Sequence, residues 1–216
     1  MEEKMMIKQN KLKTVISTIA ILLPTLVGVI LWNKLPETIA THFGVDNAAN
    51  GWNSKGFTVF GIPLIMAALH LFCLVVTSLD PKYKNIGKKP LGMVFWIIPS
   101  VSLVVMSVIY AMALGVKINV GFVVLILMGV IFIVMGNVMP KAKQNYTFGI
   151  KIPWTLNDED NWNKTHRLAG FCMVIAGVVT ILTAFLQTPF ILIPALILAL
   201  AVPMIYSYLH YKKHNK

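Results

Sequence analysis

Six long apolar stretches dominate the sequence and restrict the architectures open to it. A helix that crosses a bilayer needs about 20 mostly apolar residues. Stretches of about that length occur six times: Thr14–Trp32, Phe57–Ser78, Leu91–Leu114, Asn119–Val138, Leu168–Leu186 and Phe190–Tyr208. The chain is 57% hydrophobic and 12% charged, whereas soluble domains average about 45–50% apolar and about 25% charged. Because the chain lacks the polar surface of a soluble globule, the sequence predicts an all-α membrane protein with six transmembrane helices.

The basic residues predict how the chain threads the membrane. Of the 19 Lys and Arg residues, 16 lie in the two terminal segments and in the second and fourth connections, and only Lys34, Lys55 and Lys117 lie elsewhere. Cytoplasmic segments are enriched in Lys and Arg, so we expect both termini to be cytoplasmic. Topology also accounts for most of the net charge of +11, and no direct nucleic-acid partner is predicted. We divide the chain into a two-span region, residues 1–90, and a four-span region, residues 91–216.

The longest polar interruption in the second half of the chain is Tyr146–Arg167, which contains two Trp residues and the single Arg. Apolar and polar residues alternate over Tyr146–Trp154. This period of two predicts an extended segment. We therefore expect a structured cytosolic loop between the fourth and fifth helices.

The second part of this interruption carries helix signals. Asn157 is a good N-cap, and the three acidic residues after it favour the positive end of a helix dipole. Trp162 and His166 then share one face, and Asp160 can pair with Lys164, since both pairs are four residues apart. No proline interrupts the run up to the end of the fifth stretch. The sequence predicts a polar helix that continues into the fifth span.

Glycine spacing predicts which two spans pack closely. Gly129 and Gly136 are seven residues apart in the fourth stretch, and Gly170 and Gly177 are seven apart in the fifth. Small residues on one helix face let backbones approach. We therefore expect the fourth and fifth spans to be neighbours.

The first predicted outer segment combines helix and turn signals. Pro36 suits the first turn of a helix, and Asn50-Gly51 signals a turn. An apolar stripe at a spacing of four residues follows the proline: Leu35, Ile39 and Phe43. The sequence predicts a short amphipathic helix on the outer membrane surface, followed by a turn and Trp52.

Three polar residues of this segment are of metal-ligating types, namely Glu37, His42 and Asp46. Their spacing matches no strong metal signature, so no metal or other cofactor is predicted. Two alternatives stay open: an interfacial cap with a hydrogen-bonded His42, and a surface that recognises a peptide or lipid.

His70 is the one ionisable side chain deep within a stretch. Such groups are functional hypotheses by default, because their burial is costly without a partner. The alternative is a neutral imidazole hydrogen-bonded to a backbone carbonyl freed by a nearby proline. No acidic residue lies in any span, which disfavours ion-coupled transport.

Catalytic signatures are not found in the sequence, and no enzyme is predicted. No H-E-x-x-H motif, phosphate-binding Gly-rich loop or paired Cys motif occurs. The acidic run with His166 and Arg167 fits a helix terminus at the membrane interface better than an acid–base pair. Trp154 and Trp162 fit either an aromatic belt at the interface or a surface that docks a partner.

Two motifs resemble the SdpI-type family of bacterial immunity proteins. Leu35–Lys55, L-P-x-x-I-A-x-H-F-G … N-G-W-x-S-K, is similar to the N-terminal domain of that family. Gly149–Gly170, G-I-K-I-P-W-T-L … W-x-K-T-H-R-x-x-G, is similar to its C-terminal signature. The resemblance implies a protein of the bacterial plasma membrane, in contact with lipid, that protects against a secreted, membrane-active peptide toxin. It also implies toxin sensing coupled to retention of a winged-helix repressor at the membrane.

From this resemblance we assign hypothetical sites to both sides of the membrane. The candidate toxin-binding residues are Pro36, His42, Phe43, Trp52, Lys55 and His70. The candidate partner-docking residues are Phe148, Lys151, Trp154, Trp162, Thr165, His166 and Arg167. The alternatives are a membrane enzyme or transporter that acts on a lipid or small solute through His70, His166 and Arg167, and a structural membrane protein without a ligand.

Overall fold

The computed structural model describes residues 6–186 and 189–214, and most of them are helical. Within these residues, helices long and apolar enough to cross a membrane number six, as predicted. They are α2 (Lys11–Ile30), α3 (Ile62–Ser78, after a π-helical turn at Phe57–Gly61), α4 (Lys88–Ala113), α5 (Val120–Val138), α7 (Glu159–Leu186) and α8 (Leu192–His214). Two short helices are α1 (Met6–Gln9) and α6 (Pro153–Asn157).

The long helices bury only a minor part of their apolar surface inside the protein. At most 44% of the apolar window of any of these helices is buried. Large side chains such as Leu26, Phe72 and Leu198 are more than half exposed, at 62%, 64% and 61%. Because so much contiguous apolar surface is unfavourable in water, the helices require lipid around them.

The predicted outer amphipathic helix is wrong, because its residues form a β-hairpin. Strand β1 (Thr38–Phe43) pairs antiparallel with β2 (Ala49–Ser54). The apolar spacing of four residues fits a strand as well as a helix, since four is a multiple of the strand period of two. The β-branched residues Thr38, Ile39 and Thr41 then favour the strand.

The predicted turn at Asn50-Gly51 is also displaced, because both residues lie within β2. The chain reverses earlier, between Gly44 and Ala48, where the Gly44 amide donates to the Ala48 carbonyl at 2.8 Å. Asn47 adopts a left-handed φ of 62° in this turn, a conformation that asparagine tolerates better than most residues.

The described residues form two compact units. The first comprises residues up to Val75 together with Val94–Gly121. Its buried apolar cluster joins the base of the hairpin to the π-helical turn and α4: Leu35, Ile39, Val59, Met106, Ile109 and Tyr110. Polar contacts also join its helices, since the Ser102 hydroxyl donates to the Ile21 carbonyl at 3.1 Å.

The second unit comprises Val76–Met93 and the residues from Phe122 onward. The predicted packing of the fourth and fifth spans is confirmed in this unit. A Cβ atom on Gly136 would lie 2.5 Å from the Gly170 carbonyl oxygen, and one on Gly129 would lie 2.7 Å from that of Gly177. The backbones of α5 and α7 therefore touch where these glycines meet. The division at residue 90 stays a prediction.

The start of α7 differs from the prediction by one capping residue. Asp158, rather than Asn157, is the N-cap, because its Oδ1 accepts from the amides of Asp160 and Asn161 at 2.9 and 3.3 Å. Asn157 instead ends the separate short helix α6. The predicted continuation of the polar helix into the fifth span is confirmed by α7. The predicted pair of Asp160 and Lys164 is also confirmed, at 2.7 Å.

Candidate functional site

Residues 142–158 lie between α5 and α7, and we call them the 142–158 segment. A network of hydrogen bonds from side chains to the backbone holds this segment. The extended conformation predicted from alternation is wrong over residues 146–149, which form successive bends. Asn145, which is fully buried, explains the difference. Its Oδ1 accepts from the amides of Thr147 and Phe148 at 2.9 and 2.6 Å, and its Nδ2 donates to the Phe148 carbonyl at 3.1 Å. The Asn145 side chain thus satisfies backbone groups that a neighbouring strand would otherwise have to pair.

Asp80, in the connection between α3 and α4, fixes the same bends from another direction. Its Oδ2 accepts from the Tyr146 amide at 2.8 Å and from the Thr147 hydroxyl, and its Oδ1 accepts from the Lys82 amide at 2.7 Å. Asp80 is 6% exposed. Because all three donors are neutral, these hydrogen bonds rather than an ion pair offset the cost of burying the carboxylate.

Gln144 links the bends to α6. Its Nε2 donates to the carbonyls of Thr155 and Leu156 at 3.0 and 2.8 Å. These carbonyls belong to the last turn of α6 and lack helical donors. Gln144 also accepts from Lys82 Nζ at 2.9 Å, and Asn85 Nδ2 donates to its carbonyl at 2.8 Å. The α3–α4 connection and the 142–158 segment are therefore joined into one hydrogen-bonded assembly.

Trp162 and His166 are the buried aromatic residues of this assembly. Trp162 is fully buried, and its Nε1 donates to the Ala142 carbonyl at 2.8 Å. The two rings stack with their centroids 3.9 Å apart. Their predicted placement on one face of the helix is confirmed.

Both ring nitrogens of His166 are occupied. The Ile150 amide donates to Nε2 at 2.9 Å, and Nδ1 lies 2.8 Å from the Trp162 carbonyl oxygen. An amide can only donate and a carbonyl can only accept, so His166 is neutral with its proton on Nδ1. No lone pair is left for a general base or a metal ligand.

Gly149 permits this arrangement. It has a φ of 119°, and a Cβ atom there would lie 2.2 Å from His166 Nε2. A side chain would therefore displace the imidazole that receives the neighbouring amide.

The sequence-predicted docking residues divide by exposure. Trp162, Thr165 and His166 are buried, Phe148 and Trp154 are half-buried, and Lys151 and Arg167 are exposed. The buried three hold the site together and offer no contact surface of their own. Four residues of the assembly escaped the sequence analysis: Asp80, Asn85, Gln144 and Asn145. The one available signal was that Asp80 is the single acidic residue between the second and third spans.

The candidate toxin-binding residues on the hairpin also differ in how exposed they are. Pro36, His42 and Trp52 are exposed, Phe43 is half-buried and Lys55 is 7% exposed. Lys55 Nζ contacts Glu37 Oε1 at 2.6 Å and lies 4.8 Å from the centroid of the Trp32 ring. Through these contacts Lys55 stabilises the base of the hairpin.

The three residues considered as metal ligands have separate partners. Glu37 pairs with Lys55 at 2.6 Å, His42 Nδ1 lies 2.5 Å from Asn50 Oδ1, and Asp46 Oδ1 accepts from the Ala48 amide at 3.0 Å. Among the described residues, no group of three or more His, Cys, Asp or Glu residues is placed to hold a metal ion.

His70 is fully buried within the first unit, and the proposed partner carbonyl is wrong. Its Nε2 lies 2.8 Å from the Ser17 hydroxyl, which itself donates to the Thr14 carbonyl at 3.1 Å. Nδ1 has no hydrogen-bond partner among the described residues.

Comparison with known proteins accounts for both motifs. The SdpI/YfhL protein family matches residues 141–207, and a domain of unknown function, DUF1648, matches residues 19–67. The immunity protein SdpI of Bacillus subtilis strain 168 is 29% identical over 210 residues, which cover 94% of this chain and 98% of that protein. No solved structure matches the chain.

Six apolar helices and this similarity define a multi-pass membrane protein. The SdpI/YfhL family match covers the 142–158 segment, α7 and much of α8, and the similarity to the immunity protein SdpI extends over nearly the whole chain. Both findings agree with the resemblance that the two motifs indicated.

Proposed function

We propose that this protein is a membrane immunity protein that protects its host from a secreted, membrane-active peptide toxin. The similarity to the immunity protein SdpI over 94% of the chain carries the proposal. The shared length matters because it includes both the hairpin and the 142–158 segment. Protection by binding requires no catalytic group, which agrees with the occupied nitrogens of His166.

The proposal includes an orientation and two working surfaces. Both termini are cytoplasmic by the distribution of Lys and Arg, which puts the hairpin outside and the 142–158 segment inside. On the hairpin, Pro36, His42, Phe43 and Trp52 meet the toxin, while Lys55 holds their base. His70 acts behind this surface, inside the helices.

The 142–158 segment together with Arg167 of α7 is the proposed docking surface for a winged-helix repressor. Lys151 and Arg167 supply exposed charge, and Phe148 and Trp154 supply half-buried aromatic area. Aromatic and Arg side chains dominate interface energetics. Trp154 Nε1 is buried and has no hydrogen-bond partner among the described residues, so Trp154 contributes ring area rather than a hydrogen bond.

The test of immunity expresses the chain in toxin-sensitive cells and challenges them with culture supernatants of strains that secrete membrane-active peptides. We expect survival against at least one supernatant and killing of cells with the empty vector. Killing by every supernatant, despite ample protein in the membrane fraction, contradicts the proposal.

Docking is tested separately with Arg167→Ala and a matched control, Lys84→Ala. Both residues are exposed and basic and lie on the same proposed side. Arg167→Ala is expected to keep toxin tolerance but lose repressor co-purification from membranes, while Lys84→Ala keeps both. Equal co-purification by the two variants would exclude docking through Arg167.

A further inference from the structure

A basic pocket lies between the start of α7 and the end of α8, apart from the docking surface proposed above. It has a volume of about 410 Å³ and is lined by Lys164, Tyr206, Leu209, His210, Lys213 and His214. We call it the α7–α8 pocket. No carboxylate is among these lining residues, and two walls, Tyr206 and Leu209, are largely apolar.

One basic residue of the pocket lining is left without an acidic partner. Asp160 Oδ2 is 2.7 Å from Lys164 Nζ and 2.9 Å from His210 Nε2, and Asp158 also acts on Lys164 electrostatically. Lys213 has no carboxylate within 4.0 Å among the described residues. Lys213 is therefore the lining cation that can attract an anion.

The depth of the pocket along its helices indicates what kind of anion reaches it. The apolar run of α8 ends near Leu209, and the basic end of the helix, Lys212–His214, follows at once. On α7, the polar first turns give way to the apolar span after Arg167. The pocket therefore lies at the level where both helices leave the hydrocarbon, which is the level of lipid headgroups.

Aromatic side chains mark the same level independently. The Trp154 ring lies 5.5 Å from the Tyr208 ring and 6.0 Å from the Tyr211 ring, centroid to centroid. Trp and Tyr are enriched where a membrane protein crosses from hydrocarbon to headgroups. Both observations bring the pocket within reach of phospholipids in the surrounding leaflet.

We propose that the α7–α8 pocket binds the phosphate of an anionic phospholipid such as phosphatidylglycerol. The ammonium groups of Lys164 and Lys213 donate charge-assisted hydrogen bonds to phosphate oxygens. Basic pockets between transmembrane helices bind anionic headgroups in this way. Leu209 and the Tyr206 ring contact the glycerol and the first carbons of the acyl chains. The site does not depend on the immunity function.

The experiment measures lipid binding by the purified full chain with native mass spectrometry, after reconstitution with phosphatidylcholine alone or with added phosphatidylglycerol. Lys213→Gln removes the unpaired charge and keeps a polar side chain that is one atom shorter. We expect the affinity for phosphatidylglycerol to fall about tenfold, since one charge-assisted hydrogen bond is lost. Binding of phosphatidylcholine is expected to be weak and unchanged.

Lys212→Gln is the matched control, because Lys212 is the preceding residue on the same helix and does not line the pocket. It should leave phosphatidylglycerol binding within about twofold of the parent. Both side chains are exposed, so neither change threatens the fold. Equal losses in the two variants, or equal binding of both lipids by the parent chain, would overturn the proposal. Displacement of the lipid by millimolar inorganic phosphate would overturn it too, in favour of a free anion.

Discussion

At the scale of single residues, His166 acts through its two hydrogen bonds and its stacking on Trp162. Its Nε2 is the acceptor for the Ile150 amide at 2.9 Å. That amide belongs to a segment without a regular backbone partner. The imidazole therefore supplies the hydrogen-bond acceptor that a neighbouring strand would supply to the Ile150 amide in a sheet.

This role predicts the effect of His166→Phe. Phenylalanine retains a ring that can stack on Trp162 but leaves the Ile150 amide without an acceptor. An unsatisfied buried donor costs about 1–3 kcal/mol, so we expect the free energy of unfolding in detergent micelles to fall by that amount.

The adjacent exposed Arg167 supplies the control. Arg167→Gln should change the free energy of unfolding by no more than about 0.5 kcal/mol, as surface substitutions usually do. If the two variants unfold alike, the hydrogen bonds of His166 are not what stabilises the segment.

The residues that fix the 142–158 segment show why sequence reasoning missed part of the site. Trp162 and His166 are four residues apart on a helix, and such neighbours leave a periodic signal. Asp80 meets the Tyr146 amide 66 residues further along the chain. A side chain that bonds a distant backbone amide produces no periodicity, and neither do the bonds of Gln144 and Asn145 to backbone within an irregular segment. These three residues therefore could not be assigned from the periodicity of a single sequence.

At the scale of elements, the α5–α7 contact depends on the absence of side chains at two levels. A Cβ on Gly136 would meet backbone rather than a mobile side chain, at 2.5 Å. Gly92, in α4, is also a helical glycine, but a Cβ there would meet nothing within 4 Å. The two positions form a matched pair.

Gly136→Ala is therefore expected to lower the free energy of unfolding by about 1–3 kcal/mol, the usual cost of overpacking. Gly92→Ala should be neutral or stabilising by up to about 1 kcal/mol, because alanine favours helix. Reversible unfolding in detergent measures both. A stabilising Gly136→Ala would mean that α5 and α7 separate without loss.

The elements also show which sequence signals were sufficient. Long apolar stretches and glycine spacing depend on the bilayer and on helix geometry, and both were read correctly. The hairpin was not, because a stripe of Leu35, Ile39 and Phe43 satisfies two periodicities at once. The β-branched residues favour the strand, but they do so weakly, and the deciding pairing with β2 is a property of the folded chain.

At the scale of the whole molecule, the proposed orientation has a direct test. Val45, at the tip of the hairpin, is 91% exposed, and Asn163, near the start of α7, is also exposed. In a chain whose two native cysteines are replaced by Ala, Val45→Cys should react with a membrane-impermeant maleimide in intact cells. Asn163→Cys should react only after permeabilisation. The reverse pattern would invert the orientation and both proposed surfaces.

The pair formed by Asn161 and Ser207 affects how the protein is made. Asn161 Nδ2 donates to the Ser207 carbonyl at 2.9 Å, and the Ser207 hydroxyl donates to Asn161 Oδ1 at 2.5 Å, across 46 residues. Within α7, Asn161 Oδ1 also accepts from the Thr165 hydroxyl at 3.0 Å, so only the Nδ2 donor depends on Ser207. During synthesis, the first turns of α7 therefore keep one donor unpaired until α8 has packed against them, and a nascent chain that stalls before that point exposes an unfinished helix surface that quality-control proteases can recognise.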